Sequence, residues 1–370
     1  MVLLDFLCYA FIAVVFIQVV YYLFIFGNFA FLKQKKPSSK NIPVSVIICA
    51  KNEAENLKNF LPSIINQDYP EFEIVLINDD SNDDTLEIIE EFAQAHHIIK
   101  IVNVKNVEAF WGNKKYALTL GIKASKYDYL LFSDADCQPV SNTWIKEMSA
   151  HFSNKKSIVL GYGGYAKVKH SFLNKLIRFE TVMTAVQYFS FAKMGMPYMG
   201  VGRNLAYTKN EFFNANGFIK HIKVRSGDDD LFINEVANSK NTAISFSSGS
   251  FTSSIPETRF KAWIKQKRRH VSTAKLYKPK HKMLLGLFYL SNVLFWIMAL
   301  ILLAITYNWM LVLGLFLLRI SIQYLIIGFS SKKLKELDIL LLLPVLEITL
   351  IISQFVIFIN NLISKPDFWK

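Results

Sequence analysis

Cysteine, glycine and acidic residues are all scarce in this 370-residue sequence, and each scarcity closes off a class of protein. The three cysteines, Cys8, Cys49 and Cys137, show no paired spacing, which excludes a disulfide framework or a zinc site. Free thiols suit the reducing, cytoplasmic side of a membrane. No glycine occurs in Cys49-Ala50-Lys51-Asn52-Glu53, where a nucleotidyltransferase would need a glycine-rich loop after its first strand. Asp and Glu number 29 against 42 Lys and Arg, a net charge of +13. Much of that surplus flanks apolar runs, at Lys33-Gln34-Lys35-Lys36, Lys265 to Arg269, Lys278 to Lys282 and Lys332-Lys333-Leu334-Lys335. Charge placed there answers to membrane topology, and no nucleic-acid partner is expected.

Charge is missing altogether between Phe6 and Leu32, a run longer than the ~20 residues that cross about 30 Å of hydrocarbon. It lacks a basic leader and ends in bulky residues, so an uncleaved anchor is expected in place of a signal peptide. The basic stretch Lys33 to Lys40 then puts the following region in the cytoplasm. Three more apolar segments come later, at about Met283 to Ile305, Trp309 to Phe329 and Ile339 to Ile363. The expected organisation is therefore an N-terminal anchor with its basic stop (1–36), a soluble domain (43–275) and a C-terminal membrane region of three helices (283–364).

Within the soluble region, the β-branched run Val44 to Ala50 suits a strand buried on both faces of a parallel sheet. A helix pattern follows over Glu53 to Ile65, then a strand at Glu73 to Ile77 and a helix at Asp84 to Ala95. A strand at Ile99 to Val104, a helix at Asn113 to Ala124 and a strand at Tyr129 to Phe132 complete the series. This alternation specifies an α/β domain with a mostly parallel sheet, whose ligands bind at the carboxyl ends of the strands. Two acidic clusters fall at such ends: Asn78-Asp79-Asp80-Ser81 and Ser133-Asp134-Ala135-Asp136. A lone Asp-x-Asp is commonly a solvated loop or a helix cap. Delivered to the top of a buried strand, Asp134 and Asp136 supply oxygen ligands for Mg²⁺ or Mn²⁺, with phosphates and water completing the shell.

The ordered set of motifs from about Pro43 to Thr273 resembles glycosyltransferase family 2, whose members have the Rossmann-like GT-A fold. Val44 to Glu53 resembles the opening strand and Asn-Glu turn, which places Glu53 at the nucleotide. Leu76-Ile77-Asn78-Asp79-Asp80-Ser81 resembles Val-Val-Asp-Asp-Gly-Ser and implies that Asp79 reads the uracil or ribose. Asn113-Lys114-Lys115-Tyr116-Ala117-Leu118 resembles Gly-Lys-x-x-Ala-Leu and puts Lys114 near the nucleotide. Ser226-Gly227-Asp228-Asp229-Asp230-Leu231 resembles Thr-Glu-Asp-x-x-Leu, whose Asp is the general base. Spacing selects Asp228, with Asp229 the alternative. Gln266-Lys267-Arg268-Arg269-His270 resembles the Gln-x-x-Arg-Trp motif of hyaluronan synthases, cellulose synthase catalytic subunits and ceramide glucosyltransferases. Gln266 and Arg269 match it, and Arg is suited to a diphosphate because its planar fork donates in pairs. Gly200 to Ala206 resembles an acceptor-side loop, making Arg203, Asn204 and His270 candidate acceptor contacts; His270 is also a candidate metal neighbour.

What the resemblance implies is an inverting transferase, integral to a bacterial inner (plasma) membrane with its catalytic domain in the cytoplasm. It would move a sugar from a nucleotide-sugar donor, a UDP-sugar, to a lipid or lipid-linked glycan acceptor. A processive polysaccharide synthase is the alternative within the family, and a catalytically inactive membrane scaffold the alternative outside it. The segment Phe172 to Met199 mixes Phe, Met and Tyr with a few charges. It reads as an amphipathic helix on the bilayer or as a helix packed in the core.

Overall fold

The computed structural model describes residues 2–34, 41–105, 114–224 and 226–364. Lys35, Lys36 and Lys40 of the expected basic stop, and Asn113 of the Asn-Lys motif, lie outside the described residues. The chain enters on α1 (Val2–Val20), a π-helical turn (Tyr21–Phe26) and α2 (Gly27–Ala30), which together form one apolar rod. There follow β1 (Val44–Ala50), α3 (Ala54–Ile65), β2 (Phe72–Asp79), α4 (Thr85–Ala95), β3 (Ile99–Val104), α5 (Lys114–Ala124) and β4 (Tyr129–Asp134). Next come β5 (Cys137–Pro139), α6 (Trp144–Ser149), β6 (Ile158–Leu160), β7 (Gly163–Tyr165), α7 (Phe172–Lys193), β8 (Leu205–Thr208) and α8 (Lys209–Asn214). The soluble part ends with α9 (Asp230–Val236), β9 (Thr242–Ile244), β10 (Thr252–Ser254) and α10 (Phe260–Val271). Three long helices follow: α11 (Pro279–Ala304), α12 (Trp309–Lys333) and α13 (Leu343–Ile363).

The main sheet has the order β3-β2-β1-β4-β8-β6-β9, with β8 antiparallel to both neighbours and every other pairing parallel. Register sets Cys49 opposite both Ile77 and Asp134, so β1, β2 and β4 deliver Ala50, Asp79 and Asp134 to one edge. A small second sheet, β5-β10-β7, stands beside that edge and fixes the chain just after Asp136. Below the main sheet, Leu57, Leu61 and Ile64 of α3 and Ile88 and Ile89 of α4 pack on Val46, Ile48 and Leu131. Those helix positions recur at helical spacing, and the strand residues share one face of the pleat.

The opposite face of the sheet is continuous with the long helices. Ile47, Ile77, Phe132 and Tyr207 belong to the same buried cluster as α7 and as Phe26, Phe29, Phe288 and Ile326. This corrects the reading of Phe172 to Met199 as a bilayer-lying helix. Helix α7 stops at Lys193 and is covered on both sides: Tyr188 donates to the Gly161 carbonyl at 2.7 Å, and Phe189 packs on Phe29 with ring centroids 5.0 Å apart. Its apolar residues run round the helix, as expected of a helix buried between two layers.

Among the described residues, four helices are long and apolar enough to cross a membrane: Val2–Ala30, Pro279–Ala304, Trp309–Lys333 and Leu337–Ile363. Their packed interior holds a polar network. Arg319, fully buried, donates to Gln18 (2.9 Å), Asn292 (2.7 Å), Gln323 (2.6 Å) and both oxygens of Glu347 (2.7 and 2.9 Å). Every one of the four helices contributes to it, and a charge that deep is tolerated only when paired. At one end of the bundle, Lys333 donates to the carbonyls of Phe29, Ala30 and Leu32. Part of the basic loop therefore caps the first rod.

Candidate active site

The loops after β1 and β2 are stitched into one wall. The Asn52 amide donates to Ser81 Oγ (3.0 Å), the Asn82 amide to Asn52 Oδ1 (2.8 Å) and the Glu53 amide to Thr85 Oγ1 (2.8 Å). Asn52 adopts φ 56°, a left-handed turn that asparagine tolerates. Asp79 is 2% exposed at the end of β2; burial raises its pKa while Lys51, a residue that sequence reasoning left without a role, pulls it back. Glu53 occupies the N-cap position of α3 without a side-chain cap, and its pKa is raised by burial and then by Asp136, Asp134 and Asp83, so it borders the Asp-x-Asp turn.

At the end of β4, Asp134 receives the Lys114 ammonium at 2.5 Å. The same ammonium lies 3.6 Å from Asp228, so one lysine on α5 joins the Asp-x-Asp turn to the aspartate loop. Burial alone would raise the Asp134 pKa, but Lys114, then Arg203, hold it below the usual carboxylate range. Asp136 moves the other way, through burial and the like charge of Asp134. Ligand atoms of Asp134, Asp136 and Cys137 lie within 4.8 Å of one another. The Cys137 thiol is buried, touches Ser254 Oγ at 2.8 Å and donates to Asp136 at 3.2 Å. Burial raises its pKa well above the ordinary thiol value. A protonated thiol is a poor ligand for Mg²⁺ or Mn²⁺, whereas paired carboxylate oxygens match their hardness. The donor set therefore fits such a cation through Asp134 and Asp136, with Cys137 orienting Asp136.

A cleft lined by Lys114, Leu118, Phe132, Ser133, Asp134, Gly202, Tyr207, Asp228 and Asp229 brings the two acidic motifs together. The aspartates of the second motif differ in their engagements. Both oxygens of Asp229 accept backbone amides, Gly202 at 2.7 Å and Asp230 at 2.7 Å, so it caps α9. Burial, then Asp228 and Asp230, push its pKa up to about 8. Asp228 faces Lys114 across the cleft. Gly227, at φ 91°, lets the chain turn into this pair; a Cβ there would meet Leu231 Cδ1 at 2.5 Å.

Arg203 lies over the Tyr165 ring at 4.3 Å, with its Nε buried and unpartnered among the described residues. Its charge reaches Asp134 and Asp136. On α10, Gln266 has a buried Oε1 without a partner among the described residues, and Arg269 follows on the same helix. His270, in the last turn of α10, is exposed, and desolvation by the surrounding protein, then the positive charges of Lys267, Arg269 and Arg203, lower its pKa. The expectation for Asn204 is corrected: it is 0% exposed, donates to the carbonyls of Tyr162 (2.8 Å) and Ser250 (2.7 Å), and accepts from Trp144 Nε1 (3.0 Å). Those bonds make it a brace between three segments.

Sequence reasoning also missed Lys115, whose buried ammonium donates to the carbonyls of His221 (2.8 Å), Val224 (2.9 Å) and Ser226 (2.8 Å) just before Asp228. Its neighbour Lys114 carried the motif, and nothing local distinguishes an exposed lysine from a buried one.

A strand-and-helix domain with a mostly parallel sheet and carboxylates at the ends of β2 and β4 has the GT-A architecture. A mannosyltransferase from Pyrobaculum calidifontis, solved with GDP-Man and Mn²⁺, shares this fold at a TM-score of 0.59 and 17% identity, over 90% of this chain and 98% of that one. Residues 45–216 match the model of glycosyl transferase family 2. A poly-beta-1,6-N-acetyl-D-glucosamine synthase from Staphylococcus epidermidis is 36% identical over 121 residues, 32% of this chain and 28% of the relative. Glycosyltransferase AglE of Haloferax volcanii is 30% identical over 171 residues, 46% of this chain and 51% of the relative. The chain thus spans about half or less of the length of these relatives.

Proposed function

We propose that this protein is an inverting, membrane-bound glycosyltransferase that moves a sugar from a UDP-sugar to a lipid or lipid-linked glycan. The observation that carries this reading is the convergence of Asp134, Asp136, Lys114 and Asp228 on one cleft at the carboxyl ends of the strands. Asp79 and Glu53 line the nucleotide side of that edge. Asp134 and Asp136 would hold Mg²⁺ or Mn²⁺, which neutralises the donor's diphosphate when bound. Lys114 and, from α10, Gln266 and Arg269 would bind the diphosphate oxygens and stabilise the departing charge.

A sugar hydroxyl attacks the anomeric carbon only as it loses its proton, and Asp228 is the residue suited to accept it. Its neighbour Asp229 is occupied at both oxygens and holds its own proton near neutral pH. Arg203 and His270 would be the residues to meet the acceptor. With Lys332 and Lys333 at one end of the bundle, the positive-inside rule favours a cytoplasmic catalytic domain in a bacterial inner membrane. A processive polysaccharide synthase is the second reading, favoured by the similarity to the N-acetyl-D-glucosamine polymer synthase.

The test is to incubate purified protein with a panel of nucleotide sugars, Mg²⁺ or Mn²⁺ and total membrane lipids, and to follow products by mass spectrometry. Cation-stimulated transfer that Asp228→Asn abolishes is expected. No transfer or donor hydrolysis beyond that of the Asp228→Asn variant would overturn the proposal, and a ladder of products longer than one sugar would select the processive reading.

A further inference from the structure

The loop that presents Asp228 is held at both flanks by buried charged groups. Upstream is Lys115, 1% exposed, with its three carbonyl acceptors. Downstream is Asp230, 7% exposed, whose Oδ1 accepts the Leu231 amide at 2.7 Å. Its Oδ2 meets two hydroxyls, Thr273 Oγ1 at 2.5 Å, which shares its proton with the His270 carbonyl at 2.7 Å, and Tyr277 OH at 2.6 Å. Those donors come from one short linker: Thr273 lies two residues beyond α10, and Tyr277 stands just ahead of Pro279, where α11 begins. One turn further along α9, Asn234 donates to the Tyr198 carbonyl (2.8 Å), accepts the Lys278 amide (3.0 Å) and meets His281 Nδ1 (3.1 Å). One face of α9 therefore grips the linker at two successive levels.

The placement matters because α10 carries Gln266, Arg269 and His270, and α11 is the first apolar helix after the soluble domain. Asp230, two residues after Asp228, bonds both to the backbone at the end of the base loop and to the linker between those two helices. Buried hydroxyl-to-carboxylate bonds are directional and costly to break, because each broken bond strands a polar group out of water. A shift of the linker is therefore transmitted to the loop and is not absorbed by sliding apolar contacts.

We propose that Asp230 is a positioning residue for the transfer reaction, which through Thr273 and Tyr277 locks the diphosphate-binding face of α10 and the start of α11 in register with Asp228. The proposal rests on the functional reading above for what α10 binds. Misplacement of a binding group by about 1 Å is enough to cost up to about a hundredfold, so the latch needs to fail only slightly to be seen.

The test uses the full chain in lipid nanodiscs, with UDP and Mn²⁺ as probes. Thr273→Val and Tyr277→Phe each remove one hydroxyl, and Thr273→Ser keeps it. Binding of UDP in the presence of Mn²⁺ should weaken about tenfold in the first two variants and stay at the wild-type value in Thr273→Ser. Hydrogen exchange should accelerate in 226–236 and 260–271 while 44–79 is unchanged. Unaltered UDP affinity in both variants would overturn the proposal, as would uniform loosening of the whole domain or a Thr273→Ser variant as weak as Thr273→Val. Wild-type protein that binds no UDP with Mn²⁺ would count against the proposed function instead, and the exchange pattern then decides the latch by itself.

Discussion

Asp229→Asn is expected to stabilise the protein progressively from pH 4 to pH 8 while leaving glycosyl transfer in place. In the folded chain the Asp229 pKa is pushed up to about 8 from 3.8, by burial first and then by Asp228 and Asp230. Between those values the folded state keeps a proton that the unfolded chain has released, so this group's contribution to stability falls as pH rises through the window. The steepest possible slope is about 1.4 kcal/mol per pH unit. The side chain is partly open to the cleft, and solvent screening there brings the expected total to about 2 kcal/mol. Asparagine cannot titrate; it keeps one oxygen for one of the two amides and gives up the other, a pH-independent cost that offsets the curve without changing its slope. A gap of about 2 kcal/mol corresponds to a melting temperature higher by roughly 4 to 8 °C for a domain of this size. The assay is thermal unfolding of both proteins across pH 4 to 8, paired with transfer rates at neutral pH. A melting gap that does not widen with pH would refute the burial argument. An Asp229→Asn protein as inactive as Asp228→Asn would refute the division of roles between them.

Asp228→Asn should lower the transfer rate by about 10² to 10⁴ with UDP·Mn²⁺ binding retained, as loss of a general base requires; isothermal titration beside a rate assay separates the two. Asn204→Ala leaves the buried Trp144 Nε1 and the carbonyls of Tyr162 and Ser250 unpartnered, so a loss of about 2 to 4 kcal/mol is expected in denaturant melts, with donor KM unchanged. Glu347→Leu alone strands Arg319 and should cost about 3 to 5 kcal/mol, whereas Arg319→Met combined with Glu347→Leu should recover most of it, measured as heat resistance in detergent. Equal damage in the single and double variants would sink that account. Gly227→Ala must hold φ 91° and displace Leu231, so about 1 to 3 kcal/mol of strain should appear as reduced turnover before any loss of fold.

The elements nearest the nucleotide edge were legible because their signals are local. The β-branched run of β1 and the helical spacing of α3 and α4 depend on neighbours a few residues away, and β1 and β3 occupy the expected residues. Strands β2 and β4 run two residues further than expected, to Asp79 and Asp134: sheet pairing carries the chain through residues whose charge reads as a turn. Strands β6 to β10 left no periodicity, since segments such as Gly163-Gly164-Tyr165 and Thr252-Ser253-Ser254 are too short to alternate. Site residues divide in the same way. Asp79, Asp134 and Asp136 sit where strand ends deliver them, but the depth of Asn204 is set by Trp144, Tyr162 and Ser250. The burial of Lys115 is set by carbonyls 106 to 111 residues away. No local pattern encodes such partners.

The basic cluster on α10 illustrates how a charge run can be neither a plain anchor nor wholly a binding site. Lys267 is buried and pairs with Glu180 of α7 at 2.5 Å. Arg268 turns to the end of α13, donating to Asn361 Oδ1 (2.9 Å) and to the carbonyls of Asn360 (3.0 Å) and Ser364 (2.8 Å). Each of these charges fastens α10 to a different helix, and α7 itself joins the sheet to the apolar bundle. With those two faces committed, the remaining positions, Gln266, Arg269 and His270, hold a fixed orientation, and the energy of ordering long side chains is met when the protein folds and not when a diphosphate arrives. Helix α10 thus depends on the membrane bundle for its geometry, which is a physical reason for the catalytic domain and the apolar helices to share one chain.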